Sequence, residues 1–137
     1  MDNVGIVVED FDATVDFFRA LSLDLEDRAM IEAEWSKRAT GLGDQQVKIA
    51  MMPMPDGRSR LEISRFLTPA IVADHRIAPV NALGYFRAMF TFDAIHDTLK
   101  KLCVHGIELV GAIVDYKDVY RLWYIRGPEE LVNGLAE

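Results

Sequence analysis

A pattern that occurs twice constrains this chain more than any other feature. Residues 85–109, YFRAMFTFDAIHDTLKKLCVHGIEL, slide back by about 84 positions onto residues 3–25, NVGIVVEDFDATVDFFRALSLDL, without a gap. Val4 then meets Ala88, Ile6 meets Phe90, Val8 meets Phe92, Phe11 meets Ile95, Val15 meets Leu99, Phe18 meets Leu102, Leu23 meets Ile107 and Leu25 meets Leu109. In each copy apolar residues alternate, then recur at i, i+4 and i+7, then return to a strand-like run. Two tandem modules of strand, helix and strand follow, an α+β plan.

The length of 137 residues suits one domain or two half-size modules, and 50% apolar residues are enough to bury a core. Fifteen basic against 22 acidic residues leave a net charge of −7, and no Lys/Arg cluster lines one face, so nucleic acid is not an expected partner. The single cysteine, Cys103, excludes an intrachain disulfide, fits a reducing compartment, and reads as a buried, inert thiol of the second helix. No basic residue precedes Arg19 and no apolar run reaches membrane-spanning length, so the expectation is a cytoplasmic protein without signal peptide or membrane partner.

In order, a strand is expected over residues 2–9, then a helix capped by Asp10 or Asp12 that ends near Leu21 and buries Phe11, Val15 and Phe18. Residues 24–35 show no clear period, and residues 37–44 read as a turn-rich loop around Thr-Gly-Leu-Gly-Asp. Val47, Ile49 and Met51 alternate into a strand, a Pro-Asp-Gly turn follows, and residues 61–66 pair back as a hairpin. The first module is thus 1–66, residues 67–84 form a connector long enough to be functional, and 85–137 is the second module. The latter is expected to hold a strand at 85–92, a helix at 94–104 capped by Asp93 and closed by Gly106, and strands at 107–114, 119–126 and 130–136.

Motifs for phosphate loops, zinc proteases, redox thiols and serine nucleophiles are missing from the sequence. His96 and His105 sit off the apolar stripe of the second helix, which leaves His75, in the connector, as the histidine to place near a cleft. Trp35, Tyr120, Trp123 and Tyr124 are candidate aromatic lining, with ordinary sheet packing as the alternative, and Arg65, Arg121 and Arg126 are candidate clamps for an anion.

Four stretches carry a family resemblance: the opening NVGIVVEDFDATVDFFRALSLDL, RAMFTFDAIHDTL, PDGRSRLEISRF and the closing RGPEELVNGLAE. Together they resemble the landmarks of the vicinal oxygen chelate superfamily, which includes glyoxalase I, extradiol dioxygenases and the bleomycin resistance proteins. The resemblance implies two βαβββ modules forming a curled mixed sheet around a central cleft, commonly in a homodimer. It also implies a divalent metal held by His and Glu at four places, occupied here by Asn3, Glu62, Arg87 and Gly134. One carboxylate, one amide, one permanent cation and one absent side chain are not the donor set of a catalytic divalent ion, so no metal cofactor is expected.

Strand alternation places Glu62 and Ser64 on one face and Tyr85, Arg87, Met89 and Thr91 on one face. Glu62 and Arg87 are therefore expected to meet as an ion pair. A polar bridge that merely fills the former metal site is the alternative to a ligand-binding role. The leading expectation is a metal-independent protein that binds a small molecule in the cleft through Asn3, Glu62, Tyr85, Arg87 and Trp123. The competing one is a glyoxalase-like lyase, isomerase or dioxygenase in which Glu62 is the catalytic base and Arg87 stabilises an enolate oxygen.

Overall fold

The computed structural model of the chain describes residues 1–84, 87–116 and 119–137. It divides into two compact units, Met1–Ala73 and Asp74–Glu137, with the boundary inside the expected connector. Each unit is an α+β assembly of one mixed sheet and few helices.

The first unit runs β1 (Asn3–Val7), α1 (Phe11–Ala20), β2 (Asp27–Ile31), α2 (Glu34–Thr40), β3 (Gln46–Pro53) and β4 (Arg60–Thr68). Asp10 caps α1, accepting from the Ala13 N–H at 3.1 Å, which satisfies a donor the helix cannot pair internally. The expected stripe of Phe11, Val15 and Phe18 is buried, joined by Thr14 and Phe17. It meets Ala50, Met52, Leu61 and Ile63 of the sheet, and each large apolar side chain so buried contributes roughly 1.5–3 kcal/mol. Strand order is β1-β4-β3-β2, with β1 parallel to β4 and the other pairs antiparallel. The hairpin turns at Gly57, whose φ of +68° is the left-handed conformation that favours glycine.

Two elements depart from the sequence expectation. Residues 34–40 are helical where a loop is expected from 37, and the reason is tertiary. Gln45 donates to the Ser36 hydroxyl at 2.7 Å and accepts from Thr40, which ties both ends of α2 to the segment entering β3. Residues 27–31 form a strand although their sequence lacks a clear period, because β3 supplies an antiparallel edge for them.

The second unit runs β5 (Ala88–Thr91), α3 (Ile95–Leu102) with a 3-10 turn (Cys103–His105), β6 (Glu108–Leu109), β7 (Val114–Tyr116), β8 (Tyr120–Arg126), a 3-10 turn (Pro128–Glu130) and β9 (Val132–Ala136). The sheet order is β5-β9-β8-β6, with β7 also paired to β8, and β5 is parallel to β9 as β1 is to β4. The strand expected at 107–114 is two short pieces instead. Asp93 does not cap α3: the N-cap is Ala94 without a side-chain bond, and the Ile95 N–H donates to Glu137 Oε2 at 2.8 Å. Cys103 is exposed rather than buried, since α3 stops at Leu102 and the tighter turn carries Cys103 off the apolar stripe. Gly106 ends that turn at φ +68°, as expected for its place.

Residues 74–84 are strapped to the rim of the second sheet by Arg126. Its guanidinium donates to the carbonyls of Ala78 at 2.8 Å and Glu130 at 3.1 Å, which gives the half-buried cation backbone partners. Among the described residues no helix is long and apolar enough to cross a membrane.

Candidate functional site

Glu62 stands in the middle of β4, a costly place for a charge unless partners surround it. Its neighbours Leu61 and Ile63 are buried on the helix side, so alternation turns Glu62 and Ser64 to the opposite face. There the Asn3 Nδ2 donates to Glu62 Oε2 at 2.9 Å and the Ser64 hydroxyl donates to Oε1 at 3.1 Å. The flanking strands place Gly5 and Met51 directly beside Glu62. An added Cβ on Gly5 would meet nothing within 4 Å, so the space over that part of β1 is open. Two of the residues expected at the site, Asn3 and Glu62, are thus brought together in one unit.

The second unit repeats the register with different chemistry. Met89 and Tyr124 flank Gly134 as Gly5 and Met51 flank Glu62, and Arg87 precedes Met89 as Asn3 precedes Gly5. The Arg87 Cζ lies over the Tyr124 ring, 5.3 Å from its centroid, a cation–π contact. A Cβ on Gly134 would stand 3.2 Å from both Met89 Cε and Tyr124 Cε1. Those two side chains occupy the room a longer residue would need. A Cβ at Gly134 would press on both by a few tenths of an ångström, so glycine leaves Tyr124 room to lie across β9 and beneath Arg87.

Trp123 does not belong with them. It points to the helix side of β8, is 1% exposed, and packs edge-on to His96 at 5.9 Å between ring centroids. Burial among helix-facing residues removes it from the surface a ligand could touch, and among the described residues its buried Nε1 has no hydrogen-bond acceptor. The alternation of β8 puts Tyr124 on the face of Gly134 instead. Tyr85 lies outside the described residues. Arg121 pairs with Asp115 at 3.2 Å, and Arg126 is engaged by backbone carbonyls. His75 is exposed, and its carbonyl accepts from the Ala78 N–H.

Glu62 and Arg87 belong to different units; within its own, the carboxylate accepts from an amide and a hydroxyl, and the guanidinium lies over a ring. The donor set also bears on the divalent metal that the sequence resemblance implies. Asn3 presents its amide N–H, not its oxygen, to Glu62. Arg87 is a fixed cation, and the space beside Gly134 is filled by a thioether and a phenol ring. Hard divalent ions require several converging oxygens or imidazoles, so this set does not suit one. Among the described residues no three His, Cys, Asp or Glu side chains gather in a metal-holding group.

Comparison with known proteins follows the same outline. No family model and no curated protein sequence matches the chain. Among solved structures it is similar to a glyoxalase family protein from Bacillus cereus, at 58% identity and TM-score 0.96, covering 100% of this chain and 92% of that one. A glyoxylase/bleomycin resistance protein/dioxygenase domain from Frankia sp. is 13% identical with TM-score 0.67, covering 99% of this chain and 94% of that one. A glyoxalase I mutant from Zea mays is 12% identical with TM-score 0.71, covering 99% of this chain but 45% of that one. The last two likenesses are of fold alone.

Proposed function

Because the chain belongs to the glyoxalase family, we propose that it binds a small organic molecule on the helix-free faces of its sheets and needs no catalytic divalent metal to do so. The observation that supports this reading is Arg87. A guanidinium held over Tyr124 stands where the family resemblance calls for a metal-binding histidine, and a permanent cation repels the ion whose place it takes. In the first unit, taken by itself, Asn3, Glu62 and Ser64 offer donors and acceptors on the face turned away from its helix, and Gly5 leaves space above them. A cytoplasmic location and association of two copies belong to the same proposal.

Metal analysis of the purified protein and a thermal-shift panel of divalent ions, chelator and organic ligands test the proposal. The expected outcome is no stoichiometric metal, no loss of stability in chelator, and stabilisation by an organic ligand without turnover. A ligand at about a hundred times its Kd raises the unfolding free energy by about 2.7 kcal/mol, well within reach of such a panel. Stoichiometric metal whose removal destabilises the protein overturns the proposal. Turnover of the ligand assigns the chain to the enzyme class, with Glu62 as the base.

A further inference from the structure

Resting on the small-molecule reading above, we propose that the second unit selects the ligand's charge: Arg87 takes the carboxylate of a monoanion whose flat apolar body lies against Met89 and Tyr124. Four observations converge on it. The guanidinium sits 5.3 Å from the Tyr124 ring centroid, an arrangement that orders the side chain while, among the described residues, its N–H donors make no ordinary hydrogen bond. Among the described residues of its own unit Arg87 meets no carboxylate, whereas Arg76, Arg121 and Arg126 of that unit each do. Met89, beside it, is 57% exposed, an adaptable apolar surface for the rest of a ligand. Gly134 completes the arrangement, because a Cβ there would crowd both Met89 and Tyr124 at 3.2 Å.

The geometry favours a carboxylate over a phosphate. One planar guanidinium matches one carboxylate in a two-pronged contact. A dianion would bring a second negative charge to a chain already at −7. The flat body follows from the phenol ring and the thioether, which reward contact area over hydrogen bonding. A guanidinium already ordered by its ring gives up less freedom on binding than one free in water.

Titration calorimetry with benzoate, benzamide and inorganic phosphate, on the wild type and on Arg87→Gln, Arg87→Lys and Gly134→Ala, decides the matter. Benzoate is expected to bind saturably, with benzamide and phosphate at least about tenfold weaker, and to weaken as salt rises. Arg87→Gln should cost benzoate at least about tenfold, with Arg87→Lys between the two, because a lysine keeps the charge and loses the planar fork. Gly134→Ala should weaken benzoate several-fold while circular dichroism stays native, since its Cβ moves Tyr124 from under the guanidinium. Equal binding of benzoate to wild type and Arg87→Gln, or of benzamide and benzoate to wild type, overturns the proposal. If neutral organic ligands still stabilise wild type and Arg87→Gln alike, the carboxylate assignment falls and small-molecule binding stands; if no organic ligand binds at all, both fall.

Discussion

Asn3 and Arg87 hold equivalent places in the two copies of the repeat and use them in opposite ways. The amide of Asn3 spends its donor on Glu62, which makes a mid-strand carboxylate tolerable, while Arg87 spends its charge on the face of a ring and keeps its donors. The connector shows a third way of holding a charge. Asp74 accepts from the Arg76 side chain, at 2.7 Å from Nη2 and 3.0 Å from Nε, and from the Arg76 backbone N–H at 3.0 Å. Side-chain bonding first and the backbone bond second hold its carboxyl at about 2, against an ordinary 3.8. A depressed carboxyl favours the native state above its unfolded value, near pH 4, and the benefit is lost as pH falls through about 2. The pair is solvent-exposed, so salt screens the effect and its weight in overall stability is small. Carbon NMR of the Asp74 carboxyl should show a midpoint near 2, moving up toward the ordinary range in Arg76→Gln. A wild-type midpoint already at the ordinary value would show that the Arg76 contacts do not persist in solution.

At the scale of elements, α3 depends on a residue far from it in sequence. Its N-cap, Ala94, offers no side-chain acceptor, and Glu137 supplies one to the Ile95 N–H from 42 positions away. The backbone of Glu137 pairs with Arg121 independently of its side chain, so Glu137→Ala removes the acceptor and leaves the pairing. The substitution should cost about 1 kcal/mol in urea unfolding, the usual worth of a helix cap. No change in stability, with α3 amides protected as before, would count against a capping role. This contact marks a limit of sequence reasoning: nothing local in Asp93-Ala94-Ile95 announces a carboxylate at the end of the sheet. The same limit hid α2, because residues 37–44 read as a loop until the hydrogen bonds of Gln45 with Ser36 and Thr40 are seen. What was readable was periodic. Phe11, Val15 and Phe18 declared α1, Asp10 or Asp12 declared its start, with Asp10 the cap observed, and alternation around Leu61 and Ile63 set Glu62 facing away from the helix. Alternation also separated Trp123 from Tyr124, yet which of the two faced the helix required the packing of His96 and Ile125 to decide.

Across the whole molecule the repeat has been kept in register but not in robustness. Phe11, Phe17, Phe18, Leu21, Leu61 and Ile63 fill the first unit with large buried side chains, on strands of up to nine residues. Among its described residues the second unit relies on Trp123, Ile95, Leu102, Ile125 and Leu135, with β6 and β7 only two and three residues long. Opening free energies within one protein follow buried apolar contact and strand length, so the second unit should open first. Native-state hydrogen exchange should find the amides of β8 and β9 exchanging through openings of lower free energy than those of β3 and β4. A ligand bound at Arg87 should raise the protection of β8 and β9 more than that of β3 and β4, because binding stabilises the conformations that contain its contacts. Identical protection in both sheets, moving together when ligand is added, would mean that the units open only as one, and the difference in their cores would then have no bearing on how the molecule responds to binding.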